Sequence, residues 1–143
     1  MYEYACEVIK VVDGDTSDLN ISLGFDIYHK CRVRLYGIDT PECRTRNKDE
    51  KARGKLAKTF VEEAIANGKE VIVRTKLKDS KGKYGRVLGE ILVDSININE
   101  ELVRKHLAVR YFGQSKNDVE AEHEVNKQKL LELGVYQEIK NPS

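Results

Sequence analysis

The chain lacks any run of 18 apolar residues, so no segment is long and apolar enough to cross a bilayer as a helix. Its opening, MYEYACEVIK, has no long apolar signal core. The expectation is therefore a cytoplasmic protein, with a secreted form whose leader has been removed as the alternative. Cysteine is sparse and odd in number: Cys6, Cys31 and Cys43 form no CxxC pair. That argues against a disulfide framework or a zinc site and fits a reducing compartment. The three histidines, His29, His106 and His123, show no HxxxH spacing, which again argues against zinc and marks out no histidine base. His29 falls in a loop, His106 at a helical position suited to packing, and His123 on a charged helix. A dominant charge is missing too: 25 Lys and Arg stand against 24 Asp and Glu, a net charge of +1. Any nucleic-acid surface must therefore be local rather than global. No repeat, low-complexity tract or linker interrupts the 143 residues, which suit one domain over 1–143 with a single core.

What is present reads as alternating strands followed by helices. Cys6 to Val12 is rich in β-branched residues and predicts a strand, broken by the turn chemistry of DGDTSD. Leu19–Leu23 and Lys30–Tyr36 alternate apolar and polar, as half-buried strands do. In the second, Cys31, Val33 and Leu35 share one face, so Arg34 points away from it. The segment between these strands, Leu23 to Lys30, is long for a tight hairpin. Ala52, Leu56, Phe60 and Ala64, joined by Ala57, Val61 and Ile65, predict an amphipathic helix stopping at Asn67-Gly68. A strand from Glu70, a glycine-containing turn from Lys78 and a strand from Arg86 follow. Asn99 is placed to cap a short helix through Leu102, Val103 and His106. A last helix is expected from about Val119 to Leu133, ending at Gly134. The class is α+β, closed as a small antiparallel barrel.

Acids and arginines gather at the ends of these strands. Asp15 and Asp39 each follow a strand, and strand ends converge in a small barrel. Two carboxylates held close need a cation or a proton between them. Oxygen donors suit a hard ion such as calcium or magnesium. An EF-hand is excluded, because counting from Asp13 puts Asp18 at the obligatory glycine and Gly24 at the final glutamate. Each aspartate taken singly also reads as a turn former, and Arg34 and Arg86 each read as partners of surface ion pairs. Together they form a coherent set for hydrolysing a phosphodiester. Guanidinium forks match phosphate oxygens, a cation offsets charge on phosphorus, and Glu42 is placed to orient or deprotonate water.

VDGDT, RLYGIDTPE and KYGR, in this order, resemble the thermonuclease (micrococcal nuclease-like) family over roughly Val8 to Leu133. The resemblance implies a five-stranded antiparallel OB-fold barrel with three helices and a calcium-dependent phosphodiesterase acting on DNA and/or RNA. It implies Arg34 and Arg86 as the phosphate-stabilising arginines and Glu42 as the water-handling carboxylate. Asp15, Asp39 and the Thr40 carbonyl are implied as ligands of one Ca2+, other divalent ions being possible. Lys83, Tyr84 and Tyr111 are implied to touch the nucleotide, while Gly113 stands where relatives offer a second tyrosine. The expected partner is single-stranded or frayed nucleic acid, met by a monomer. Arg44, Arg46, Lys48 and Lys51, after Glu42, can gather phosphate backbone or simply be solvated. Cys43 is read as incidental. Two rival readings stay open: a non-catalytic OB module binding nucleic acid, and a protein-interaction domain with an acidic partner.

Overall fold

A computed structural model describes residues 2–75 and 87–137. In chain order it contains β1 (Tyr2–Asp13), β2 (Thr16–Ser22), β3 (Tyr28–Leu35), β4 (Ile38–Asp39), α1 (Lys48–Asn67), β5 (Val71–Thr75), β6 (Val87–Val93), β7 (Ile96–Asn97), α2 (Ile98–Arg104), β8 (Val109–Arg110) and α3 (Lys116–Glu132). The α+β class and the three helices expected from the sequence are present. The turn expected from Lys78 lies outside the described residues.

Five strands close the barrel in the order β3-β2-β1-β5-β6, with β3 pairing back to β6. The closing pair is parallel, Val33 aligning with Val87 and Leu35 with Gly89. The expectation of a purely antiparallel barrel is thereby corrected, and the reason is parity. Strands alternating in direction around a closed ring must be even in number, so a ring of five contains at least one parallel neighbour.

Alternation along the strands sorts side chains into core and surface. Leu19, Val33, Val73 and Ile91 are fully buried in the barrel, and Val61 of α1 and Leu102 of α2 seal it from outside. Burying one such side chain is worth roughly 1.5–3 kcal/mol. β1 starts earlier than its β-branched stretch suggests, because Tyr2 to Ala5 pair with β5. The long β2–β3 connection is absorbed by extra pairing: the ladder runs out to Ser22 and Tyr28, and Leu23 and Ile27 close the tip with a 2.8 Å backbone hydrogen bond.

The helix stop at Gly68 is correct, but not through a left-handed cap, since its φ is −88°. A Cβ there would lie 2.1 Å from Val93 Cγ1, so close packing selects glycine. His106 is not a helical packing residue; it follows α2 with a φ of +62°. Asn99 is not the cap of α2 either. Asn97 is, its side chain accepting from Glu100 N. Asn99 is 1% exposed. Its amide donates to Tyr36 O at 3.0 Å and Gly89 O at 3.3 Å, and its oxygen accepts from Ile91 N at 3.3 Å. It thus joins α2 to β6 and to Tyr36, the residue just after β3, at the barrel's parallel seam. Asn99→Ala is expected to lower stability by about 1–3 kcal/mol for each backbone group it orphans. Urea unfolding measures this, and a loss below about 1 kcal/mol would mean that these backbone groups do not depend on Asn99.

Candidate active site

Strand register builds the site. Thr16 pairs with Arg34, and the Leu35 amide donates to the Asp15 carbonyl at 2.8 Å. The β1–β2 turn therefore lies against the end of β3. Arg34 lies on the face opposite buried Val33 and Leu35, as alternation requires. Its Nη1 stands 2.7 Å from Asp15 Oδ2 and its Nη2 3.4 Å from Asp39 Oδ1. One guanidinium thus bridges the two carboxylates. Asp15 is buried and further satisfied: Oδ2 accepts from Thr40 N at 3.1 Å and Oδ1 from the Thr16 hydroxyl at 3.0 Å.

The loop carrying Asp39, Thr40 and Glu42 is held from two sides. Its first residues pair as β4 with β8, Ile38 opposite Arg110 and Asp39 opposite Val109. Tyr111 N donates to Gly37 O at 2.8 Å, across a turn in which Gly37 has a φ of +79°. On the other side α1 presses against the loop. A Cβ on Gly54 would lie 2.6 Å from Glu42 O and 2.8 Å from Pro41 O. A Cβ on Gly14 would lie 2.7 Å from the Ala57 Cβ. Two glycines therefore let the helix and both acidic turns meet. The Glu42 amide donates to Glu50 Oε2 at 3.2 Å, while the Glu42 side chain stays exposed.

Two cavities share this loop. The smaller, about 310 Å3, is bordered by Asp15, Arg34, Asp39, Thr40 and Glu42, with Asp13 and Arg44 beside them. The larger cleft, about 1040 Å3, shares Arg34, Asp39, Thr40 and Glu42 and extends to Tyr111, Phe112 and His123. The donor set of the smaller cavity is all oxygen, which fits a hard divalent cation. Two buried oxygens bordering it, Asp13 Oδ1 and Thr40 Oγ1, have no hydrogen-bond partner among the described residues. Among the described residues no three His, Cys, Asp or Glu side chains converge to chelate an ion by themselves. A cation here would rely on Asp15, Asp39, the Thr40 carbonyl and water.

A family model described as staphylococcal nuclease homologue matches residues 32–131, well over half of the chain. The chain belongs to that family. It is 34% identical over 130 residues to an uncharacterised protein of Methanocaldococcus jannaschii, covering 77% of this chain and 60% of that protein. It is 34% identical over 107 residues to the thermonuclease of Staphylococcus hyicus, covering 74% of this chain and 59% of that protein. It is 31% identical over 116 residues to endonuclease YhcR of Bacillus subtilis, covering 77% of this chain but 9% of that protein. The chain thus spans less than two thirds of each of these relatives.

Of the residues expected from this family's motifs, Asp15, Arg34, Asp39, Thr40 and Glu42 meet around the smaller cavity, and Tyr111 borders the larger cleft. Lys83, Tyr84 and Arg86 lie outside the described residues. Sequence reasoning missed two side chains. Phe112, 80% exposed, borders the cleft beside Tyr111, so the position before Gly113 supplies a second aromatic. His123 Nε2 stands 2.8 Å from Asp39 Oδ2. The signal for His123 was its spacing: it shares a helical face with Val119 and Leu130, the two buried residues of α3.

Cys43 lies next to Glu42, but partial burial, and then the neighbouring Asp13 carboxylate, push its thiol up to about 11. It stays protonated near neutrality, in keeping with an incidental role. Alkylation at pH 8 is expected to be slower at Cys43 than at a free thiol, whose pKa is about 8.5, and to accelerate as pH climbs toward 11. Mass spectrometry of iodoacetamide-treated protein reads this directly. Gly54→Ala gives a second check. The exchange normally favours a helix by about 1 kcal/mol. Here it is expected to destabilise by about 1–3 kcal/mol through overpacking against Glu42, measured by urea unfolding. A stabilised Gly54→Ala protein would mean that α1 does not press on the loop.

Proposed function

We propose that this protein is a calcium-dependent nuclease hydrolysing phosphodiester bonds of DNA and/or RNA by direct attack of water. The observation that carries this reading is the meeting of Asp15, Arg34, Asp39, Thr40 and Glu42 around one small cavity, four of them also bordering a larger cleft. Nuclease-named relatives that share the family domain support it.

Asp15, Asp39 and the Thr40 carbonyl would hold the cation. When bound, calcium offsets the charge that develops on the phosphate oxygens. Glu42 is the exposed carboxylate of the set and borders both cavities, so it is the group suited to take the proton of the attacking water. As the water oxygen bonds to phosphorus, the bond to the leaving oxygen breaks and that oxygen is protonated in turn. Arg34 presents a planar fork to the non-bridging oxygens, where a donor strengthens as negative charge builds. Arg86, at the family's second arginine position, is proposed to share this task, and Lys83 and Tyr84 to hold the flanking phosphate. Tyr111 and Phe112 offer ring faces to the bases of an unpaired strand, which stack on aromatics without regard to sequence.

The deciding experiment is cleavage of single-stranded DNA and of RNA in calcium, in magnesium and in chelator. Calcium-dependent cutting is expected, abolished by chelator. Glu42→Gln and Arg34→Ala are each expected to slow it by about 100- to 1000-fold or more while the protein stays folded. If the wild-type protein binds strands but cuts neither nucleic acid in any ion, it is a non-catalytic OB module. A Glu42→Gln protein of full activity would remove Glu42 from the chemistry.

A further inference from the structure

We propose that His123 is a positioning residue for Asp39, and through Asp39 sets the affinity of the cation site. The inference rests on reading Asp15, Asp39 and Thr40 as the cation's ligands.

The contact joins residues 84 apart in sequence, with His123 Nε2 lying 2.8 Å from Asp39 Oδ2. An ionised carboxylate only accepts hydrogen bonds, so Nε2 carries the proton. The ring is largely buried, and its Nδ1 has no partner among the described residues. Burying a ring nitrogen unpaired is unfavourable. An apolar side chain would fill the same space without that penalty, so what histidine adds at this position is the single bond to Asp39.

The surroundings fix where that bond acts. α3 is docked on both sides of His123. Val119 and Leu130 are buried, Asn126 Nδ2 donates to Ala108 O at 3.0 Å, and Lys127 Nζ lies 3.4 Å from Asp49 Oδ2 of α1. His123 borders the larger cleft, whereas the smaller cavity is bordered by Asp39 and not by His123. The imidazole therefore holds Asp39 from the cleft side, and Arg34 approaches the other oxygen, Oδ1, at 3.4 Å. A carboxylate with about four lone-pair directions, engaged once at each oxygen, retains lone pairs for a cation. With two carboxylates and one carbonyl as protein ligands, affinity depends on how well each is held in advance. Hydrogen-bond partners of ligating groups typically set about 10- to 100-fold in metal affinity.

The test is calorimetric titration of the whole chain with calcium, with circular dichroism as a check on folding. His123→Ala and His123→Asn are expected to raise the calcium Kd by about 10- to 100-fold. His123→Gln is expected to restore most of it, because the glutamine amide nitrogen reaches the place of Nε2 whereas the asparagine amide falls short. Asparagine and glutamine keep a polar side chain on the helix, so the comparison stands even if the alanine protein folds poorly. An unchanged or tighter Kd in His123→Asn overturns the proposal. So does a glutamine variant as weak as the asparagine one, which would assign the loss to packing. If the wild-type protein takes up no calcium, the ligand reading itself fails and this inference falls with it; a wild type that binds, with variants that match it, overturns only the role of His123.

Discussion

Two carboxylates at the mouth of a small barrel repel each other, and every other part of this site depends on how that repulsion is met. Arg34 meets it by standing between Asp15 and Asp39 with one nitrogen toward each. The position follows from register. Thr16 opposite Arg34 puts the guanidinium beside the β1–β2 turn that carries Asp15. The Asp15 carboxylate also accepts the Thr40 amide, so the same few atoms tie the turn to the acidic loop. An ion pair this sheltered is less screened than a surface pair, and losing one partner would leave the other charge poorly solvated. In the proposed reaction Arg34 thus has two tasks, holding the acids near each other and facing the phosphate.

Around this charge cluster the fold is tight at Asp15 and Thr40, two of the proposed ligands, and open at Glu42, the residue proposed to handle water. Gly14 and Gly54 allow α1 to lie directly on the acidic turns. β8 pairs with β4 from the opposite side. Thr40 and Asp15 are buried, while Glu42, two residues beyond Thr40, is exposed. That gradient suits the division of labour proposed for them. Ligands gain from rigidity, because a cation site held in advance loses less order on binding. A water-handling carboxylate needs access to solvent and substrate.

Much of this was legible in the chain itself. Alternation placed Arg34 on the face opposite Val33 and Leu35. The 3.6-residue period found α1, and the turn residues of DGDT and IDTPE located the acids. Where the reading failed, the cause was a demand set by neighbours distant in sequence. The barrel cannot be wholly antiparallel because it closes with five strands. Gly68 ends a helix with ordinary backbone angles because Val93 leaves no room for a Cβ. Asn99 looked like a cap because asparagine favours caps, but Asn97 took that place, and Asn99 instead serves backbone groups of β6 and Tyr36.

The amino-acid sequence by itself determined the chemical inventory and its order: an acid turn, an arginine strand, a second acid turn and a helix to press on it. Those are local matters, governed by side-chain period and turn preference over a few residues. Tertiary structure alone decided that Asp15 and Asp39 share one guanidinium, that Phe112 joins Tyr111 on the cleft, and that His123 reaches Asp39. The last pair is separated by 84 residues. Its proximity comes from docking α3 through Val119, Leu130 and the Lys127–Asp49 ion pair. No local period records where a helix will dock, because that is set by the shape of a core assembled from the whole chain.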